Sequence, residues 1–108
     1  MNYIAKMFET YEIDKIQLDY PDNMEPFYPE FTPEMQLKLI QLICKTCKTL
    51  NIHKFTETSE WWFGADEYWS EYKYEVRNKN FERGLAQLII EMKDVLAKKE
   101  VKKILTHE

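Results

Sequence analysis

The residue pattern points to an α+β fold: a small antiparallel sheet, built on a central hairpin with room for a third strand, packed by two main helices in αββα order. Two amphipathic stripes of helical period, and an aromatic run of period two between them, carry that expectation. The chain has 108 residues, close to the usual size of one domain and enough to bury about two-thirds of the surface its unfolded form exposes. A single domain is expected over 1–108, with an N-terminal segment and loop over 1–33, a helix over 33–51, a hairpin over 53–77 and a helix over 80–105.

Ile4, Met7, Phe8 and Tyr11 follow helical spacing, although Met1 to Phe8 also reads as a short strand. Ile16, Leu18 and Tyr20 then alternate with Lys15, Gln17 and Asp19, the period of a half-buried strand, which Pro21 ends. Pro21, Pro26, Pro29 and Pro33 are interleaved with Phe27, Tyr28 and Phe31. Proline fixes its own φ and biases the residue before it away from helix, so this stretch reads as an ordered loop folded over the core.

Thr32-Pro33-Glu34 is a strong helix start: a hydroxyl cap, a proline where its missing N–H costs nothing, and an acid at the positive helix end. That helix is expected to run to about Leu50 with a broad apolar face of Met35, Leu39, Ile43 and their neighbours. From Ile52 to Val76 the residues become aromatic and β-favouring. Tyr72, Tyr74 and Val76 alternate with Glu71, Lys73, Glu75 and Arg77, as a strand with one wet face does. Phe55 to Phe63 is its expected hairpin partner, turning through Gly64-Ala65-Asp66. The rival is a helix capped by Ser59, with Trp61, Ala65, Tyr68 and Tyr72 on one face. Asn80 can cap a last helix whose core side is Phe81, Leu85, Leu88, Ile89, Met92, Val95 and Leu96, with a shifted stripe of Ala97, Val101, Ile104 and Leu105.

The stretch Asn80-Phe81-Glu82-Arg83-Gly84-Leu85-Ala86-Gln87-Leu88-Ile89-Ile90-Glu91-Met92, following a tryptophan-bearing hairpin, resembles the closing helix of small phage-encoded αββα proteins of the ABA-sandwich type. The resemblance covers about the last half of the chain and rests on pattern, and those families are largely without assigned activity. It implies origin in a phage or other mobile element and carries over no functional residue.

Net charge is −4, and the chain holds 16 aromatic residues against two glycines. So little glycine leaves few places for bare backbone to approach a phosphate. Residues 1–36 carry eight acids and two lysines, and residues 60–76 five acids and one lysine. An acidic chain without a dense basic stripe argues against direct nucleic-acid binding, where phosphate contacts supply most of the affinity. The start of the chain does not read as a secretory signal, and the longest uncharged apolar run is far too short to cross a bilayer, so a cytoplasmic protein is expected.

Catalytic equipment is sparse. Cys44-Lys45-Thr46-Cys47 has the spacing of a zinc half-site or redox pair, but it falls late in a helix, where no helix N-terminus lowers a thiol pKa, and further ligands are few; both cysteines read as buried, reduced thiols. His53, Glu57 and Glu60 contain the groups for acid/base work, but on one continuous strand Glu60 would face away from the other two. Neither Ser59 nor Ser70 sits in a glycine-flanked nucleophile elbow. The lysines 98, 99, 102 and 103, interrupted by Glu100, read most simply as a solvated face at the C-terminal end of the last helix, with phosphate binding as the lesser alternative. No enzyme, cofactor or metal is expected.

The segment Glu60 to Glu75 carries the most functional information. Strand alternation sends Trp62 and Trp69 to faces opposite Trp61 and Tyr68, so either both sheet faces are covered or some large rings lie at an interface. The candidate interface or ligand residues are Trp61, Trp62, Tyr68, Trp69 and Tyr72, with Glu60, Asp66, Glu67 and Glu71. Tryptophan and tyrosine are frequent binding hot spots, and a carboxylate rim suits a basic partner surface. These residues predict a non-catalytic interaction or accessory protein, such as a phage or mobile-element inhibitor that covers a basic surface of a host protein. The alternative is a small-ligand binder with an aromatic pocket. Sheet edges and wide apolar faces leave room for a homodimer.

Overall fold

A computed structural model describes residues 2–13, 30–66 and 72–106. The strand expected at 14–20 and the proline loop as far as Pro29 lie outside them, as do Glu67, Tyr68, Trp69, Glu71 and His107. The α+β class holds: among the described residues four helices and a three-stranded antiparallel sheet follow one another in the order α-α-β-β-β-α-α.

Helix α1 (Tyr3–Thr10) starts at Asn2, whose Oδ1 accepts from the N–H groups of Ile4 and Ala5. The helical reading of this stretch therefore prevails over the strand. Helix α2 (Pro33–Thr46) begins as its sequence dictates, with Thr32 Oγ1 accepting from the Met35 N–H at 3.2 Å and Pro33 opening the first turn. It ends four residues before Leu50, because Thr49-Leu50-Asn51-Ile52 joins a strand instead. Strand β1 (Thr49–Phe55) is the third strand of the sheet, supplied by a segment assigned in part to the helix.

Strands β2 (Glu60–Asp66) and β3 (Tyr74–Asn78) complete the sheet in the order β1-β2-β3. The expected turn at Gly64-Ala65-Asp66 is not one: those residues are paired in the middle and end of β2, with Gly64 opposite Asn51 on one side and Glu75 on the other. The first chain reversal is at Thr56–Ser59, where Ser59 takes φ 58° without a glycine. Residues 60–66 are thus strand, and the rival helix does not form there.

Helix α3 (Phe81–Glu91) is capped by Asn80, whose Oδ1 accepts from the Arg83 N–H at 2.9 Å. The single long helix expected over 80–105 is broken by turns at Met92–Val95, and helix α4 (Lys98–Thr106) follows. The shifted apolar stripe reflects this break: Met92 and Leu96 are buried in the linker, then Val101 and Leu105 start a new buried edge. One consequence is that Lys98 and Lys99 lie in the first turn of α4, not near the end of a long helix. There the macrodipole opposes them, and the like-charge pairs 98/102 and 99/103 each cost about 0.2–0.5 kcal/mol.

Helix α3 lies against β2 and β3, α1 packs on α3, and α2 contacts β1 and α4. The core face of the sheet is made by Leu50 and Ile52, Trp61, Phe63 and Ala65, and Tyr74 and Val76, all within or packed against one apolar cluster with Phe8, Leu39, Leu88 and Leu105. Fully burying each large aliphatic or aromatic side chain of this kind contributes about 1.5–3 kcal/mol. Tyr11 is buried between α1 and α3 and donates its hydroxyl to the Ile89 carbonyl at 2.8 Å, which satisfies its polar end. Among the described residues no helix is long and apolar enough to cross a membrane.

Candidate functional site

Alternation along three paired strands leaves the opposite sheet face with Asn51, His53 and Phe55 from β1, Glu60, Trp62 and Gly64 from β2, and Glu75 and Arg77 from β3. None of these side chains belongs to the apolar cluster. Phe55 is 36% and Tyr72 37% exposed, and Trp62 is half-buried.

Trp62 and Tyr72 form the centre of this face. Their rings meet edge to face with centroids 5.0 Å apart and planes at 87°, an orientation the ring quadrupoles favour. Gly64 is buried beneath them. A Cβ on Gly64 would come within 2.7 Å of Trp62 Cζ2 and 2.9 Å of Tyr72 Cδ1, so this position is a seat for two rings. Asn51 Nδ2 donates to the Tyr72 hydroxyl and ties the pair to β1.

A second cluster stands at the hairpin end. The Arg77 guanidinium lies 4.7 Å from the centre of the Phe55 ring and 3.6 Å from a Glu60 carboxylate oxygen. His53 stacks edge-on to Phe55 at 5.0 Å. Of these, His53, Phe55 and Arg77 border a cavity of about 410 Å³ that Lys54, Thr56, Glu57 and Thr58 also line.

The sequence candidates separate accordingly. Trp61 is on the core face, edge-on to Phe81 at 5.0 Å, with Lys54 Nζ 5.5 Å from its ring centre. Asp66 is only 4% exposed, so its carboxylate is no part of an outer acidic rim. Trp62, Tyr72 and Glu60 are together on the outer face. Glu67, Tyr68, Trp69 and Glu71 lie outside the described residues. Glu60 shares the face of His53, contrary to the continuous-strand expectation, because the turn at 56–59 resets the alternation, and Glu57 stands in that turn.

Asn51, Phe55 and Arg77 were missed as site residues. The alternation of Leu50 and Ile52 with Thr49, Asn51 and His53 was the available signal, obscured by the helical stripe running into it. Cys44 is exposed and Cys47 buried, so only one of the two thiols sits on the apolar side of α2. The helix turns Met35, Leu39, Ile43 and Cys47 inward, a stripe narrower than the sequence suggests that leaves Leu37 56% exposed. Among the described residues no three His, Cys, Asp or Glu side chains gather as a metal site.

Comparison with protein-family models, with curated proteins and with solved structures gave no match to this chain. The fold and the chemistry of the outer sheet face therefore carry the functional reading.

Proposed function

We propose that the protein is a non-catalytic interaction module that binds a larger protein through the outer face of its sheet, with Trp62 and Tyr72 as the anchor. The observation that carries this reading is the Trp62–Tyr72 pair, mounted on Gly64 and kept out of the apolar cluster. A large aromatic pair held in one orientation, half-exposed and outside the core, offers apolar area at little entropic cost to a partner. The charged groups around it are three carboxylates, on Glu57, Glu60 and Glu75, against two cations, Arg77 and Lys54, a slight acidic excess. That balance favours a partner whose surface is basic. Inhibition of a host protein by a phage or mobile-element product is the narrower form of the same proposal.

The experiment is a tagged pull-down from the native host lysate with mass spectrometry, wild type beside Trp62→Ala and Tyr72→Ala. A stoichiometric larger protein, bound by wild type and lost with Trp62→Ala while circular dichroism is unchanged, supports the module. A partner retained by both variants removes the anchor from the proposal. A small molecule copurifying with the monomer would favour the ligand-binding alternative, although the cavity at the hairpin end is not lined by Trp61, Trp62 or Tyr72.

A further inference from the structure

Far in sequence from the aromatic face, α4 carries Lys98, Lys99, Lys102 and Lys103 within an arc of about 140° at 3.6 residues per turn. Val101 and Leu105 are fully buried and fix the rotation of the helix, so this arc is held away from the core. The four lysines line a cavity of about 670 Å³, and among the described residues Glu12 lines it with them. Such a volume is within the range of small-molecule sites, and lysine stems supply apolar walls while their ammonium groups turn inward or to solvent.

Glu12 is set there by the way α1 ends. Its N–H donates to the Glu9 carbonyl and the Ile13 N–H to the Phe8 carbonyl at 2.8 Å, leaving Glu12 with φ 58°. A left-handed backbone is unfavourable for a residue with a Cβ, and glycine is the usual occupant of this position after a helix. Here a carboxylate occupies it, and Glu12 Oε1 lies 2.7 Å from Lys98 Nζ. The hydrogen bond from Lys98, then the charges of Lys98 and Lys102, hold the Glu12 carboxyl below its ordinary range. Among the described residues Lys99, Lys102 and Lys103 form no ion pair.

Apart from the Lys98–Glu12 ion pair, the lysine pattern works against its own helix. It places two cations at the positive end of α4 and repeats like charges four residues apart, both unfavourable for the helix. It is also confined to one nine-residue helix of a chain with net charge −4, which is too small a footprint for nucleic acid. We infer that the cavity between Glu12 and α4 binds a small, multiply charged anion of the oligophosphate class, with Glu12 as the resident carboxylate that the ligand displaces from Lys98. Several ammonium groups around one concavity need more than a single negative charge, and lysine binds phosphate as a point charge without demanding planar geometry. The site is separate from the outer sheet face and does not depend on the interaction reading.

The test is calorimetric titration of the whole chain with inorganic triphosphate at about 0.15 M salt, where exposed charges are screened beyond about 8 Å. Saturable one-to-one binding is expected. Lys99→Gln with Lys102→Gln should weaken it by about tenfold or more, and Glu12→Gln should tighten it several-fold by removing the competing carboxylate. Circular dichroism and the unfolding midpoint check that the exposed substitutions leave the fold intact. Absence of saturable binding by both wild type and Glu12→Gln overturns the site, and so does binding that the double lysine variant leaves unchanged. Association with anionic vesicles without affinity for free triphosphate overturns the small-anion assignment.

Discussion

Trp62 stands edge-on to Tyr72, centroids 5.0 Å apart, on the sheet face opposite the one that carries Trp61. Neighbours in sequence, the two tryptophans belong to different physical environments. One completes the apolar layer under α3; the other, with Tyr72, sits on a glycine and faces outward.

Substitution separates those environments. Trp61→Ala removes a ring packed against the cluster and Phe81 and should cost about 2–3 kcal/mol, below the full range for a core tryptophan because the ring is half-buried. Trp62→Ala should cost about 1 kcal/mol, the worth of an aromatic pair. Urea unfolding measures both, and equal losses would place the two rings in the same layer.

The two glycines make a second contrast. At Gly64 a methyl group displaces ring edges of Trp62 and Tyr72 at the surface, and the gain of alanine over glycine in a strand, about 0.5–1 kcal/mol, offsets the loss of their contact. Gly64→Ala should therefore change stability by less than about 1 kcal/mol while altering the near-ultraviolet dichroism of the pair. At Gly84 the added Cβ meets Phe63, fully buried, with Cζ at 3.1 Å and Cδ2 at 3.2 Å. Overpacking of about 1–3 kcal/mol there exceeds the helical gain of about 1 kcal/mol. Gly84→Ala should lower the unfolding midpoint.

How legible this was depended on the kind of signal. Thr32-Pro33 and Asn80 act through hydrogen bonds to residues three positions away, so the starts of α2 and α3 could be read locally. The end of α2 could not: no glycine or proline stops it, and Thr49–Phe55 becomes strand because Glu60–Asp66 is there to pair with it. Gly64 looked like a turn residue because its reason, two rings above it, comes from Trp62 and Tyr72, the latter eight positions on. Of the site, strand alternation revealed that Trp62 opposes Trp61. The partnership of Arg77 with Phe55 and Glu60 required the register, which no local pattern supplies.

Helix α2 predicts a count of reactive thiols. Cys44 is exposed and Cys47 is 4% exposed. A disulfide reagent such as Ellman's should label one thiol quickly in the native protein and the second only on unfolding, because exchange requires access to the thiolate. Cys44→Ser should abolish the fast phase, and two fast thiols would contradict the burial of Cys47.

Tyr11 links the packing of α1 on α3 to alkaline stability. Its hydroxyl, buried and donating to the Ile89 carbonyl, is raised well above the ordinary tyrosine value of about 10, first by desolvation and then by the negative charge of Asp94. Between the unfolded and folded values the unfolded chain loses this proton and the folded chain keeps it, so the unfolded state binds fewer protons. The contribution is complete below pH 10 and falls by up to about 1.4 kcal/mol per unit above it, until the folded protein also ionises. Tyr11→Phe should cost about 1 kcal/mol at neutral pH, from the lost hydrogen bond. Above pH 10 its unfolding midpoint should decline less steeply than that of wild type, until the two profiles converge. Parallel profiles from pH 8 to 11 would mean that the hydroxyl is open to solvent and that α1 is not clamped to α3 through Ile89.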